Sequence, residues 1–476
     1  MGATRGGRAE VDSTLGVVTE VVAAGLPLAE SALWLLHQVC DQRRLDRVFA
    51  EYRGRGYQKV LTFPVMVDLI GDSLLQQGGR GYRAFTRAQE EGVVTTSLVA
   101  IYGKLGRLNL DLSMAFLAEG TDPLRAIFPK AARRALPKSL ARFQSIILDG
   151  KAIKRVAKRL KPLRGVAGGL LGGRTLVALE FATGLVVAMH AEEDGDANDS
   201  RFVPRLLPVV RERISGTRLW LCDSGFCDLQ RMKDFTEHGD HFLLRFHPKN
   251  GFHSDRSCPV RKGRDAQGRR FEEEWGWLGA ENHKLRRYVR RMTLHRKGEK
   301  DVILVTDLLS ADQYPATDLL DHYLERWGIE RVFQQVTETF GLQGLIGSTP
   351  RATVFQFSFC LVLYNVLQTI RGFVALHQHR QTESISIEKV YGDVRDELTA
   401  WSVLAQRGIV NATHFEPPSF DEPRTVEATA QRLHEILRDE WSDRWLKFVN
   451  KKHRPAANLP TKRTHSSVYR LLNPTP

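Results

Sequence analysis

The chain has 476 residues, with 69 Lys and Arg against 55 Asp and Glu, a formal charge of +14 and 42% hydrophobic residues. This composition excludes a disordered or collagen-like chain, and the length predicts two or three domains around a large core. Five cysteines without paired spacing exclude a secreted disulfide scaffold and point to a reducing cytosol. The opening MGATRGGRAEVDST has no apolar core of the kind a signal peptide needs.

The basic charge is concentrated. Residues 151–164 hold seven Lys/Arg and no acid, 245–300 hold sixteen against seven acids, and 447–470 hold seven and no acid. Together they carry about +23, over a remainder near −9. One such segment reads equally well as a solvated surface; three on one chain favour a polyanionic partner, because clustered cations neutralise phosphates and release counterions.

In chain order, residues 14–24, 31–52, 63–75 and 95–117 carry apolar residues at helical spacing, so the first 140 residues read as mostly helical. From Phe143 the pattern changes to short apolar runs. SIILDG reads as a buried strand, and TLVALEFATGLVVAMHAEE as two strands joined through Thr183-Gly184. A helix at 201–213, the strand TRLWLCDSG, the helix LQRMKDFTEHG and the strand HFLLRFH follow. This order predicts an α/β fold, a mixed sheet covered by helices. Residues 247–305 read as an inserted β-rich subdomain. A strong helix at 319–340 comes next, then an apolar helix at 354–374. Gln356, Ser358, Asn365, Gln368 and Arg371 mark that helix as buried in protein, with no membrane association. Helices at 385–401 and 427–448 complete the chain. The second offers Leu433, Leu437, Trp441 and Trp445 as a stripe that is either core or a dimer contact.

Three acids stand at informative places. Asp149 follows the run 145–148, Asp223 follows 219–222, and Glu330 lies on the 319–340 helix. On that helix Tyr323, Arg326 and Glu330 share a face, beside an apolar stripe of Ile329, Phe333, Val336 and Phe340. Packing the stripe on the sheet aims Glu330 at the strand ends. Three converging carboxylates suit a pair of hard divalent cations for in-line phosphoryl displacement. Taken singly, each acid has a plainer reading: Asp149-Gly150 as a turn, Asp223 as a helix cap, Glu330 as an ion-pair partner of Arg326.

ILDG, LCDSGF and YLERWGIERVF together resemble the DDE transposases of bacterial insertion sequences, nearest the insertion sequence family 4 group with its Tyr-x-x-Arg-x-x-x-Glu-x-x-x-x-x-x-Lys signature. The resemblance covers residues 143–370. It implies an RNase H-like mixed sheet core with a β-rich insertion, flanked by helical N- and C-terminal regions. The organisation expected is 1–140 as a helical DNA-end-binding region, 141–376 as the catalytic domain interrupted by 247–305, and 377–476 as a helical region with a basic tail.

The resemblance also implies Asp149, Asp223 and Glu330 as catalytic metal ligands for Mg²⁺, with Mn²⁺ as a substitute. It implies Tyr323 and Arg326 as DNA phosphate contacts. The basic run adds Lys151, Lys154, Arg155, Lys158 and Arg159 as DNA-binding residues. Trp275 and Trp277 are candidates for base stacking, against a reading as packing residues. The signature's final Lys falls on Thr337. The expected partners are double-stranded DNA, as terminal inverted repeats and target, and a second copy of the chain when two ends are held. The expected location is the cytoplasm, at the nucleoid. Two alternatives stay open: a DNA-binding or repressor descendant that no longer cuts, and an RNase H-like nuclease that does not join strands.

Other signals fail on their spacing. Residues 165–173 have five glycines but no Gly-Lys-Ser/Thr, and read as a flexible loop. Residues 194–199 place Asp199 where a calcium loop needs glycine. Cys222 and Cys227 lack zinc-site spacing, and no G-x-S-x-G is present.

Overall fold

The computed structural model describes residues 25–75, 81–154, 156, 158–340, 347–406, 425–447 and 465–474. The helix expected at 14–24, Arg155 and most of the basic 447–470 segment lie outside the described residues. The chain divides into two compact units. One joins Met1–Arg133 with Gln335–Thr464, and the other joins Arg134–Gln334 with His465–Pro476.

The second unit is built on a mixed sheet. Strands β1 (Gln144–Lys154), β2 (Gly169–Glu180) and β3 (Val186–Glu192) form an antiparallel meander. After the helix Val203–Arg213 comes β4 (Arg218–Cys222), and after the helix Leu229–Thr236 comes β5 (His241–Arg245). Strand β4 runs parallel to β1, and β5 parallel to β4, giving the order β3-β2-β1-β4-β5. This is the RNase H-like mixed sheet.

Side chains two apart on each strand build one core face. Ile146 and Leu148 of β1, Trp220 and Cys222 of β4, and Phe242 and Leu244 of β5 lie against Leu206, Leu207 and Val210 of one helix and Met232 and Phe235 of the other. All are buried, each contributing on the order of 1.5–3 kcal/mol for the larger side chains. The fully buried Asp240 carboxylate ties the start of β4 in place. It accepts from the Arg218 backbone N–H (3.0 Å), Arg211 Nε (2.9 Å) and Trp220 Nε1 (3.3 Å).

The insertion adds β6 (Phe252–Ser254), β7 (Arg261–Arg264), β8 (Arg270–Leu278), β9 (Arg287–Leu294) and β10 (Val302–Thr306). It is not a separate sheet: β10 pairs antiparallel with β5, so the insertion extends the same sheet through β9 and β8. Strand β11 (His465–Ser467) pairs parallel with the first residues of β2, Gly169–Leu171. The glycine run expected as a flexible loop is therefore partly strand. A side chain at Gly169 would stand 2.9 Å from the His465 ring, and its absence lets β11 approach.

In the first unit, the expected helix at 31–52 is two helices, Pro27–Val39 and Gln42–Tyr52. The break is set by Asp41, whose carboxylate caps the Arg44 N–H at 2.9 Å. The expected 95–117 helix likewise divides into Leu98–Leu105 and Leu110–Ile127, with Asn109 as the second N-cap. Phe63–Leu75, Gly81–Glu90, Ile387–Gln406 and Val426–Leu437 complete this unit's helices around Pro350–His377.

Pro350–His377 is apolar and long enough to span a membrane, but 94% of its most apolar window is buried. Several of its polar groups are hydrogen-bonded inside the unit. Asn365 Nδ2 donates to Thr121 Oγ1 (2.8 Å) and Ser358 Oγ to the Ser113 carbonyl (2.6 Å). The helix expected at 427–448 stops at Leu437. Leu433, Leu437 and Trp445 are core residues, with Trp445 on a separate short turn and its indole N–H donating to Asp393 Oδ2 at 2.6 Å.

Candidate active site

The register between β1 and β4 sets the site. Their parallel pairing runs from Gln144 with Arg218 to Leu148 with Cys222 and ends there. Asp149 and Asp223 are the next residues on adjacent strands. Because neighbours at equal register in a parallel pair point to the same side, both carboxylates leave the face opposite the Leu148 and Cys222 core. Strand β1 itself continues to Lys154, so Asp149 stands mid-strand, where its parallel neighbour ends. Arg245 extends the row, since β4 pairs with β5 up to Cys222 with Leu244.

Gly150 is required by a close approach. A Cβ there would lie 1.6 Å from Asp199 Oδ2, and that oxygen accepts from Arg174 Nη2 at 2.6 Å.

The helical segment that carries Glu330 docks along β1. His322 Nε2 and Ser145 Oγ are 2.7 Å apart, and the Tyr323 hydroxyl donates to the Cys222 carbonyl at 3.2 Å. Further along, Lys151 Nζ lies 5.3 Å from the Phe333 ring centre. Ser145, Asp149 and Lys151, spaced by even steps on β1, thus meet successive turns of the segment.

The segment is not the single regular helix expected at 319–340. Ala316–Leu324 tightens into a 3-10 turn at Glu325–Trp327, continues as Gly328–Gln334, and widens into a π turn at Gln335–Thr339 that contains Thr337. The apolar stripe is buried as expected but is divided. Ile329 and Phe333 belong to the sheet unit, whereas Val336 and Phe340 are core residues of the helical unit, where Phe340 meets Tyr391 edge-on.

Arg326 sits among the acids, with its side chain only 5% exposed. Its Nη2 donates to Glu330 Oε1 at 3.0 Å, and its Nη1 lies 3.6 Å from Asp149 Oδ2. Burial pushes the Asp149 carboxyl up to about 6. Arg326 and the Gly150 N–H oppose the rise, while repulsion from Glu330 and Asp223 adds to it. Asp149 thus lies within electrostatic reach of both other acids. Burial works against the Arg326 charge too, but Tyr323, Asp149, Asp223 and Glu330 outweigh it and hold the guanidinium above its ordinary value. Tyr323 is pushed up mainly by burial and remains a hydroxyl donor.

Two sets of polar atoms here lack hydrogen-bond partners among the described residues, Asp223 Oδ1 and Arg326 Nε and Nη1. Buried polar atoms left without partners can be met by a ligand, and here an oxygen acceptor beside Asp223 and nitrogen donors on Arg326 are open to one. The carboxylate donors and the orphan oxygen suit a hard divalent cation. As arranged, however, no group of three or more His, Cys, Asp or Glu among the described residues is gathered tightly enough to hold a metal, because Glu330 is drawn to Arg326.

Lys154, Lys158 and Arg159 are exposed where β1 ends, and Lys158 Nζ bonds the Val166 carbonyl. Trp275 and Trp277 share one face of β8. The Trp275 ring lies between Arg261 and Arg290, and its N–H donates to the Leu309 carbonyl at 2.8 Å. Trp277 is 39% exposed and lies against Tyr288 and Arg286. Sequence reasoning missed Arg245 and Trp327. Arg245 ends the strand HFLLR just as acids end SIILD and LWLCD, and Trp327 is 61% exposed within the glutamate motif. Cys222 is fully buried, and burial pushes its thiol well up, so it has no nucleophilic role.

Two acids stand side by side on neighbouring central strands of an RNase H-like sheet, and comparison with known proteins adds a family match. Residues 146–366 match the family described as the transposase DDE domain, a stretch that contains all three acids. Among solved structures the chain is similar to piggyBac transposase, seen by cryo-EM in a synaptic complex with hairpin DNA. The two share 13% identity over 88% of this chain and 78% of that one, with a TM-score of 0.30. No curated protein matches the chain.

Proposed function

We propose that the chain is a DNA transposase of the insertion sequence family 4 type, cutting element ends and joining the freed 3′-hydroxyl to target DNA. The observation that carries this reading is the β1–β4 register, which sets Asp149 beside Asp223, with Arg326 paired to both Asp149 and Glu330. Asp149, Asp223 and Glu330 would hold Mg²⁺, or Mn²⁺ in its place. Bound ions supply Lewis acidity at the scissile phosphate and stabilise the leaving oxygen.

The chain's own residues do the rest. Arg326 screens the carboxylates from one another and, through its Nε, which has no hydrogen-bond partner, offers a donor to a DNA phosphate. Tyr323 fixes the end of β4 through the Cys222 carbonyl and so holds Asp223 in place. Lys151, Lys154, Arg155, Lys158 and Arg159 neutralise the backbone beside the cut. Trp275 and Trp277 present ring faces in the insertion for an extruded base. Two copies of the chain hold two ends in the cytoplasm, at the nucleoid.

A second reading, a protein that binds ends without cutting, is favoured by the Arg326–Glu330 pairing and by Thr337 at the signature's last position. Cleavage of terminal-repeat DNA separates the two. Wild type is expected to nick with Mg²⁺ and not in EDTA, and Asp149→Asn and Glu330→Gln to lose nicking by a hundredfold or more, on the order of 3 kcal/mol in barrier. Equal cutting by these variants overturns the assignment.

A further inference from the structure

The helical unit holds a cavity of about 610 Å³ whose lining includes Arg53, Arg55, Lys59, Lys104, Arg107 and Arg351, and no Asp or Glu among the described residues. These cations come from three distant stretches of sequence, and none lies in the three basic segments that the composition singles out. The fold builds the cavity specifically. Gly54 turns the Arg53–Lys59 loop with a φ of +60°, and Asn109 Nδ2 braces it by donating to the Tyr52 carbonyl at 3.0 Å. Lys104 Nζ donates to the Tyr57 carbonyl and lies 5.3 Å from the Phe49 ring centre and 5.8 Å from that of Tyr57.

We propose that this cavity is a second DNA site, one that binds the phosphodiester backbone independently of the carboxylate site and without reading sequence. Six cations in one open space exceed what a single phosphate neutralises, so the occupant carries repeated negative charge. Burial first, and then the neighbouring Arg107, hold the Lys104 ammonium below its ordinary value. The rim carries Tyr57 at 69% and Val60 at 53% exposure, apolar surface suited to the sugar edge of a duplex. Naming DNA as the polyanion rests on the transposase reading; the anion site itself does not.

The test uses the full chain in EDTA, so that no cutting occurs, with a labelled duplex of arbitrary sequence titrated across a salt series. Replacing Arg55, Lys59 and Arg107, all exposed, by Gln is expected to weaken binding at least tenfold. The slope of log K against log salt is expected to fall by about 0.9 for each phosphate no longer neutralised, about 2.7 in all. The single reversal Lys59→Glu is expected to weaken binding in the same direction, with thermal unfolding unchanged in both variants. An unchanged slope and affinity in a wild type that binds and, with Mg²⁺, cuts DNA overturns the cavity site and leaves the transposase reading standing. A wild type that binds no duplex overturns both. Binding of inorganic pyrophosphate lost in the variants, with duplex binding unchanged, also overturns the inference, as a small-anion site only.

Discussion

Gly150 is where the fold and the proposed catalytic site meet, and Gly150→Ala tests the geometry directly. The added Cβ would stand 1.6 Å from Asp199 Oδ2, 2.5 Å from its Cγ and 3.0 Å from its Cβ, so the Asp199 side chain must rotate away or β1 must shift. Rotation breaks the 2.6 Å bond to Arg174, whose side chain is 28% exposed. Overpacking costs typically about 1–3 kcal/mol, and loss of a partly buried charged hydrogen bond about 1–2 kcal/mol, so the variant is expected to lose about 2–5 kcal/mol. Urea unfolding at constant m-value reads that loss.

The control is the same substitution in an Asp199→Ala background, where the two closest atoms are gone and Arg174 is already unpaired. There Gly150→Ala is expected to cost less than half as much, a coupling above about 1 kcal/mol. Equal costs in the two backgrounds would refute the steric argument. A shift of β1 also moves Asp149, so nicking is expected to fall in the single variant and to recover in part in the double.

Two further outcomes follow from the helix docked on β1. Burial, and then Arg134, hold His322 down at about 3, against 6.5 for the free group. Between these values the unfolded chain binds a proton that the fold excludes, so this contribution is whole above pH 6.5 and is lost as pH falls. From pH 7 to pH 5 the loss is about 2 kcal/mol. His322→Gln is expected to flatten that acid loss in urea midpoints, and an unchanged pH dependence counts against a neutral buried histidine. Asp149 acts in the opposite sense, because its raised value means that its contribution falls as pH rises from about 4 to 6. Tyr323→Phe is expected to cost about 1 kcal/mol by stranding the Cys222 carbonyl, with a matching fall in melting temperature. Weakened DNA binding with no change in melting temperature would sink the positioning role.

Much of the sheet was legible because strand signals are local. SIILD, LWLCD and HFLLR are short apolar runs bounded by polar residues, and each became a strand of the RNase H-like core. The helix breaks were legible only in part. Asp41 and Asn109 are good N-caps in sequence, but nothing local makes them outweigh the continuing apolar period. Trp441 and Trp445 continued the stripe of Leu433 and Leu437 in sequence, yet the helix stops at Leu437 and Trp445 instead buries its indole against Asp393. The glycine run at 169–173 looked like a loop because strand partners distant in sequence, β11 among them, are invisible to periodicity.

The sequence by itself singled out the candidates for the proposed chemistry, namely three acids, Arg326 and Tyr323, since type and spacing are written along the chain. Their meeting was decided in three dimensions. The β1–β4 register places Asp149 next to Asp223, and the docking of His322 on Ser145 swings Arg326 between Asp149 and Glu330. The placement of positive charge divided in the same way. A count along the chain finds the run beside Asp149. Only folding assembles Arg53, Lys104 and Arg351 around one cavity, because charge adds up in space and not along the chain.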